Sequence, residues 1–332
     1  MKRLAVLLVA FVLCGAACAR PPAQAPYPER AQVRAFIRQM VERHGFNAKA
    51  LRDLFAQARF LPAVLAAMQP GPAQHPSWED YRAMFVNERR IGQGLGFWEV
   101  NRAALARAQR LYGVPAQVIV AIIGIETFYG RQTGRWRVID ALSTLAFDDP
   151  RRARYFRGEL ESYLLFARAA GLDALALRGS PAGAIGLPQF MPRTYREYAV
   201  DFDGDGKADL LDSAADAIGS VANFLRAHGW RRGEPADLDA SVSGDGYWAY
   251  ADGGVQPRYT LAELAQAGIA FSAAGVPADA RAALIELETP DRPSEYRLGL
   301  NNFYVLTRYN RSSFYACAVS DLAAALRAAR RP

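Results

Sequence analysis

Val118-Ile119-Val120-Ala121-Ile122-Ile123-Gly124-Ile125-Glu126-Thr127-Phe128-Tyr129-Gly130 holds one helix and one anomaly. Gly113-Val114-Pro115 precedes it, and proline suits the first turn of a helix. Residues 118–125 are apolar on every side, so the helix belongs inside the protein rather than on its surface. Gly130 suits a C-terminal cap. The anomaly is Glu126. Burial disfavours the charged form of a carboxyl and raises its pKa. A carboxyl still protonated near neutral pH is what protonation of a leaving oxygen needs. By spacing alone, a Glu reaching solvent at a frayed helix end, paired with Arg131, accounts for the pattern equally well.

Outward from this helix the pattern is mostly helical. Val33, Phe36, Ile37 and Met40 recur at helix spacing, as do Leu51, Leu54 and Phe55. Trp78, Tyr81 and Phe85 share one helix face. Further helices are expected from Arg151 to Ala170, from Asp216 to His228, and over residues 301–330. Between 231 and 298 Gly, Pro and Asp become frequent. There Tyr247-Trp248-Ala249-Tyr250 and residues 283–287 suggest short strands. No internal repeat is visible. The expected organisation is a signal at 1–19, a flexible tether at 20–30 and a helical domain at 31–110. A core at 111–230, a small β-containing subdomain at 231–298 and a helical return to the core at 299–332 follow.

The signal is read from Lys2 and Arg3, an apolar run from Leu4 to Leu13 too short to span a bilayer, and small residues after it. Ala17-Cys18-Ala19 fits cleavage to a soluble protein. Gly15-Ala16-Ala17-Cys18 fits a lipoprotein site that leaves Cys18 to carry lipid. Cys14, Cys18 and Cys317 are the three cysteines of the 332-residue chain. A structural disulfide is therefore not expected, and Cys317 reads as a small buried filler. The net charge is +7, yet the basic residues are scattered, with no stripe for nucleic acid.

The segment Gly179-Ser180-Pro181-Ala182-Gly183-Ala184-Ile185-Gly186-Leu187-Pro188-Gln189-Phe190-Met191-Pro192 reads as a loop. Its small residues admit close approach of a ligand. Ser180 and Gln189 offer uncharged hydrogen-bonding groups, and Phe190 and Met191 offer apolar surface. Such a set suits a sugar, though a tight loop without a ligand has the same composition.

Several separated motifs now share an order and spacing. They are Gly124-Ile125-Glu126-Thr127-Phe128-Tyr129-Gly130, Asp140-Ala141-Leu142-Ser143-Thr144-Leu145-Ala146-Phe147 with Pro150-Arg151-Arg152, and Gly183-Ala184-Ile185-Gly186 with Gln189-Phe190-Met191-Pro192. Together they resemble the membrane-bound lytic murein transglycosylase B family, from about Arg30 to the C-terminus. The resemblance implies a mainly α (α+β) fold: a lysozyme-like helical core, an N-terminal helical domain and a small inserted β-containing subdomain. It implies cleavage of peptidoglycan between N-acetylmuramic acid and N-acetylglucosamine, with Glu126 as the only catalytic carboxylate. Glu126 would act first as acid, then as base on the C6 hydroxyl of the muramoyl ring, leaving a 1,6-anhydro end. The N-acetyl group of the substrate would take the place of a second carboxylate. Asp140 is expected in a structural role.

By the same resemblance, Ser180 would hold the muramoyl lactyl or N-acetyl group, and Gln189 and Phe190 would line the glycan groove. Tyr309, Asn310 and Tyr315 match site positions, with Tyr309 bonded to Glu126 or to the sugar. Core packing with a wet hydroxyl is the other reading of these tyrosines. Tyr81 and Arg152 are further groove candidates, and Phe224 stands where some relatives have Tyr.

Asp201-Phe202-Asp203-Gly204-Asp205-Gly206-Lys207-Ala208-Asp209 has the alternating carboxylates that begin an EF-hand loop. Asp212 replaces the twelfth-position Glu. The loop of the resembled family is longer and would close on Asp216. The expected ligands to a structural calcium ion are Asp201, Asp203, Asp205, Lys207 and Asp216. A solvated acidic turn with Ser213 and Asp216 capping the next helix is the other reading. No organic cofactor is implied.

The expected partners are peptidoglycan strands and other cell-wall enzymes. The expected chain is a monomer in the periplasm, anchored to the outer membrane through Cys18 or soluble. A goose-type lysozyme-like hydrolytic muramidase and a non-catalytic peptidoglycan-binding protein are the alternatives. The presence of Glu126, Ser180, Gln189 and Tyr309 together weighs against the latter.

Overall fold

The computed structural model describes residues 25–68, 76–251, 254–273, 275–290 and 292–330. The signal reading, Cys14 and Cys18 lie outside the described residues. The chain divides after Gln57 into two compact units.

In the first unit Tyr27–Glu29 form a 3-10 turn, followed by α1 (Ala31–His44) and α2 (Ala48–Gln57). Tyr27 is buried, so residues 27–29 of the expected tether are ordered structure. The apolar face of α1 is buried at Val33, Phe36, Ile37 and Met40, and the Phe36 ring meets Phe55 edge-on at 6.0 Å.

The second unit begins with α3 (Pro62–Ala67), α4 (Trp78–Phe85), α5 (Glu88–Val100), α6 (Arg102–Tyr112) and α7 (Ala116–Thr127). α3 to α6 fall in this second unit, which begins at Ala58. Trp136–Arg137 (β1) pairs with Arg178–Gly179 (β2), on either side of α8 (Val138–Asp148) and α9 (Ala153–Ala169). Next come α10 (Pro192–Tyr198) and α11 (Ala214–Ala227). Residues 237–299 carry β3 (Asp237–Val242), α12 (Trp248–Ala251), β4 (Tyr259–Thr260), α13 (Leu261–Gln266), β5 (Ile269–Phe271), β6 (Arg281–Leu287) and β7 (Glu295–Gly299). The chain closes with α14 (Asn301–Tyr309) and α15 (Ser313–Ala329).

Besides the β1–β2 pair, the fold is mainly helical with one small five-stranded sheet, as the sequence implied. That sheet is antiparallel, in the order β4-β6-β7-β3-β5. Its apolar face buries Leu284 and Leu298 against Leu261 and Leu264 of α13. The strand expected at residues 247–250 is not formed. Trp248–Ala251 make a helical turn after the Gly244-Asp245-Gly246 turn, and Trp248 N–H donates to Asp245 O. The local rings pack on one another instead of alternating, with Tyr247 and Trp248 stacked at 4.6 Å.

Helix α7 is packed by α5, α6, α11 and α15. This is why Ile119, Val120, Ala121, Ile122 and Ile123 are all fully buried. Burial of each large aliphatic side chain contributes roughly 1.5–3 kcal/mol. Gly94 of α5 and Gly124 of α7 carry no side chains, and the space this leaves is filled by Tyr129. The Tyr129 ring lies against both glycines, and its hydroxyl donates to Arg90 O at 3.0 Å.

On the far side of α15 a buried ion pair ties the sheet to the helices. Arg297 of β7 reaches Asp237 of β3 at 3.0 Å and Asp321 of α15 at 2.6 Å. Asp321 also takes Arg82 of α4 at 2.5 Å, and Ser320 donates to Asp237.

A Cβ at position 124 would lie 2.6 Å from the Tyr129 hydroxyl. Gly124→Ala is therefore expected to destabilise the protein by about 1–3 kcal/mol, the usual range for overpacking. A urea melt with no loss of stability would show that Tyr129 yields freely.

Candidate active site

α7 ends two residues sooner than a Gly130 cap would require. Phe128 and Tyr129 take left-handed backbone at φ 51° and 60°. This conformation costs a non-glycine residue about 1–2 kcal/mol. The Thr127 hydroxyl holds the end in place: it donates to Leu187 O at 2.9 Å and accepts from Gly130 N–H at 3.0 Å. This one side chain thus joins the end of α7 to the loop at 183–190. In that loop Ile185 and Phe190 exchange backbone hydrogen bonds, and Gln189 between them has φ 51°.

Glu126 projects from the last turn of α7. Tyr315, on the first turn of α15, donates to Glu126 Oε1 at 2.7 Å. Burial pushes the Glu126 carboxyl up to about 7, and the Tyr315 hydrogen bond pulls in the opposite direction. Burial also pushes the Tyr315 and Tyr309 hydroxyls well above their usual range, with the Glu126 charge adding to it. Both therefore stay protonated as donors. Tyr81 of α4 is half-buried, and its pKa is raised by burial and then by the charge of Glu126. Arg131, the alternative partner for Glu126, forms no ion pair with it among the described residues; its guanidinium lies 5.9 Å from the Phe128 ring.

The hydrogen bond expected from Tyr309 is made by Tyr315. Tyr309 donates instead to Pro188 O at 2.6 Å. Its ring stacks on Tyr315 at 6.2 Å and 13° and meets Phe224 at 5.0 Å. Phe190, expected on the groove surface, is 2% exposed. Its ring packs against Phe224 and Tyr309, so it supports Tyr309 from behind. The cause is the tight 185–190 turn, which directs residue 190 inward.

The Ser180 hydroxyl accepts from Ala182 and Ala184 N–H at 3.2 and 3.0 Å, which fixes the loop and leaves its proton to donate. Gln189 Nε2 donates to Thr133 O and Gly186 O at 3.1 and 2.9 Å, leaving the amide oxygen free to accept. Asn310 follows α14 and is exposed. Arg152 is exposed, with its guanidinium over the Tyr155 and Phe156 rings. It shares a cleft of about 550 Å³ with Arg151, Arg154 and Arg193. Asp140 is buried; its carboxylate accepts from Arg59 N–H at 2.9 Å and from the Arg137 guanidinium at 2.7 Å, which is a structural role.

Thr127 was not singled out from the sequence, because its role depends on a partner sixty residues away. A threonine at a helix end carries no signal of that contact.

In the acidic loop, carboxylate oxygens of Asp201, Asp203 and Asp205 lie within 4.8 Å of one another. Asp201 also accepts from Gly204 and Gly206 N–H at 2.7 and 2.8 Å, which curls the loop around the three carboxylates. Like charges at this spacing repel, and a divalent cation with oxygen ligands relieves it. Asp216 stands outside this group. It is fully buried and accepts from Phe202, Asp203 and Asp209 N–H at 2.6, 3.2 and 2.8 Å. Those three bonds occupy most of its lone pairs. It closes the loop by bonding its backbone.

A profile of the Transglycosylase SLT domain matches residues 28–324. The membrane-bound lytic murein transglycosylase B of Escherichia coli (strain K12) is 42% identical over 304 residues, 89% of this chain and 82% of the relative. The Escherichia coli lytic transglycosylase SLT35, solved in complex with calcium, superposes with a TM-score of 0.83 at 42% identity, over 91% of this chain and 94% of that one. SltB3 from Pseudomonas aeruginosa, solved in complex with NAG-NAM-pentapeptide, gives a TM-score of 0.79 at 32% identity, over 89% and 79% of the two chains. The match over residues 28–324 and the 42% identity across most of both chains place this chain in the Transglycosylase SLT family, the lytic transglycosylases of murein.

Proposed function

We propose that this enzyme cleaves the β-1,4 bond between N-acetylmuramic acid and N-acetylglucosamine without water, using Glu126 alone as acid and then base. The observation that carries this reading is a single carboxyl poised near neutrality. Burial and Tyr315 are the influences on its proton, and no second carboxylate acts on it. At pH 7 both protonation states are populated, which suits a group that must first give and then take a proton.

In the first half-reaction the Glu126 carboxyl protonates the glycosidic oxygen as the bond to C1 of the muramoyl ring breaks. The departing N-acetylglucosamine leaves as an alcohol, and the N-acetyl oxygen of the muramoyl ring stabilises the cation at C1. In the second half-reaction the Glu126 carboxylate takes the proton of the C6 hydroxyl as that oxygen bonds C1. The product is a 1,6-anhydro end, and the carboxyl is protonated again. Tyr315 fixes Oε1, so Oε2 faces the reacting bond. Ser180 donates to the lactyl or N-acetyl group, and the Gln189 amide oxygen receives a sugar hydroxyl. Tyr309, Tyr81 and Asn310 line the groove, and Arg152 binds further along the strand.

We also propose a structural calcium ion held by Asp201, Asp203, Asp205 and the Lys207 carbonyl, with Asp216 shaping the loop. Support comes from the converging carboxylates and from a relative solved with calcium. The ion supplies no step of the reaction. We further place the enzyme in the periplasm, with Cys18 lipidated. The mass of the mature N-terminus decides between this anchor and cleavage after Ala19.

Glu126→Gln should lower the release of anhydro-muramoyl ends from sacculi by roughly 10²–10⁴-fold, the usual worth of a proton-transfer group. Full activity in this variant, or free reducing ends from the parent enzyme, would overturn the mechanism.

The free enzyme needs the protonated carboxyl, so kcat/KM should fall as pH rises through about 7. Tyr315 donates to the charged form of Glu126 and so favours it. In Tyr315→Phe the alkaline limb should therefore move to higher pH, with a lower plateau. A limb that stays in place would mean that Tyr315 does not govern this proton.

Calcium at a hundredfold excess over its Kd adds about 2.7 kcal/mol of stability, visible as a higher Tm. Asp203→Asn should abolish that calcium-dependent rise. A Tm indifferent to calcium and to EDTA would remove the metal site.

A further inference from the structure

Three arginines gather around one ring on the wall of the site. The guanidinium carbons of Arg89, Arg90 and Arg131 lie 5.2, 5.0 and 5.9 Å from the Phe128 ring centroid. Arg90 also lies 5.2 Å from the Phe85 ring, which touches Tyr81 at 5.0 Å. The cluster is thus continuous with the aromatic wall that ends beside Glu126.

Arg90 is the innermost of the three. Its guanidinium donates to Gly124 O, and to Met84 O at 3.4 Å, while its Nε is buried with no partner among the described residues. Arg89 and Arg131 are exposed. Among the described residues no carboxylate pairs with any of the three. Ring faces attract guanidinium groups, which explains why they collect here. The ring cannot neutralise them, and like charges at this range repel. Glu126 does not serve as the counter-charge, since no arginine is among the influences on its proton. A concentration of positive charge with two open guanidinium forks suits a carboxylate ligand.

The sugar rings of a murein strand carry no charge at neutral pH. Its carboxylates belong to the peptide attached through the lactyl group of the muramoyl ring. We propose that Arg89 and Arg131, with Arg90 fixed behind them, form a subsite for the carboxylates of the peptide borne by a muramoyl residue. The proposal rests on the murein-cleaving reading above and adds to it a determinant of substrate choice. Strands with intact peptides are then the better substrates, because a strand stripped of peptide keeps only the lactyl carboxylate on its muramoyl ring and offers no peptide carboxylate to the cluster.

The test uses the full enzyme and three substrates: strands with intact peptides, strands whose peptide carboxylates are amidated, and strands stripped of peptide by an amidase. In Arg89→Gln/Arg131→Gln, the ratio of kcat/KM for intact over stripped strands should fall about tenfold relative to the parent enzyme, mostly through KM. The corresponding double Lys variant, which keeps charge but loses the forks, should fall between the two. For the parent enzyme, amidated strands should resemble stripped ones. Should the double variant misfold, Arg131→Gln alone is read by the same ratio. A ratio unchanged by these substitutions overturns the subsite, as does equal cleavage of amidated and intact strands by the parent enzyme. Failure of the parent enzyme to cleave any of the three would instead overturn the murein-cleaving reading itself.

Discussion

The structure depends on keeping one apolar helix dry on all sides while its last turn emerges at a surface. α5, α6, α11 and α15 surround α7, and the same packing that removes Ile119, Val120, Ile122 and Ile123 from water also desolvates the Glu126 carboxyl. Stability and acidity therefore come from one source. A carboxyl that is harder to ionise when folded contributes stability fully below its unfolded pKa and loses it as pH rises through about 7. The enzyme works where this contribution is already fading. The cost is tolerable because the rest of α7 contributes several times as much by burial.

Among the described residues, the three non-glycine residues with left-handed backbone, Phe128, Tyr129 and Gln189, all lie at this one place. Strain of this kind persists only where the surroundings over-determine it. Here Thr127 bonds Leu187, Tyr129 bonds Arg90, and Gln189 bonds Thr133 and Gly186. The short turns let Glu126, Tyr315 and the loop at 183–190 meet without a flexible connection. The geometry is set before a ligand arrives.

Much of this was legible in the sequence. The all-round apolar pattern of 118–125 announced a buried helix, and an acidic residue at its end announced a perturbed carboxyl. The small-residue loop at 179–192 and the alternating aspartates at 201–205 were equally plain. What periodicity cannot convey is which distant groups meet. Tyr309 and Tyr315 sit six residues apart on different helices, and only the crossing of α14 and α15 decides that Tyr315 faces Glu126. Phe190 looked like surface because its loop looked open, yet the tight turn between Ile185 and Phe190 sends it inward. The place of α3 to α6 in the second unit is also invisible locally, since an amphipathic helix does not say which core it faces. Residues 247–250 had strand-like composition but no neighbouring strand to pair with.

The buried pairing of Arg297 with Asp237 and Asp321 has a consequence for the working conditions of the site. Through Arg82 and Asp321 it links the sheet to α4, which carries Tyr81, and to α15, which carries Tyr315. Surface ion pairs weaken as counter-ions accumulate, whereas pairs shielded from solvent are screened much less. The hold of the sheet on α15, which carries Tyr315, is thereby made less sensitive to ionic strength than the half-exposed Arg82 link to α4.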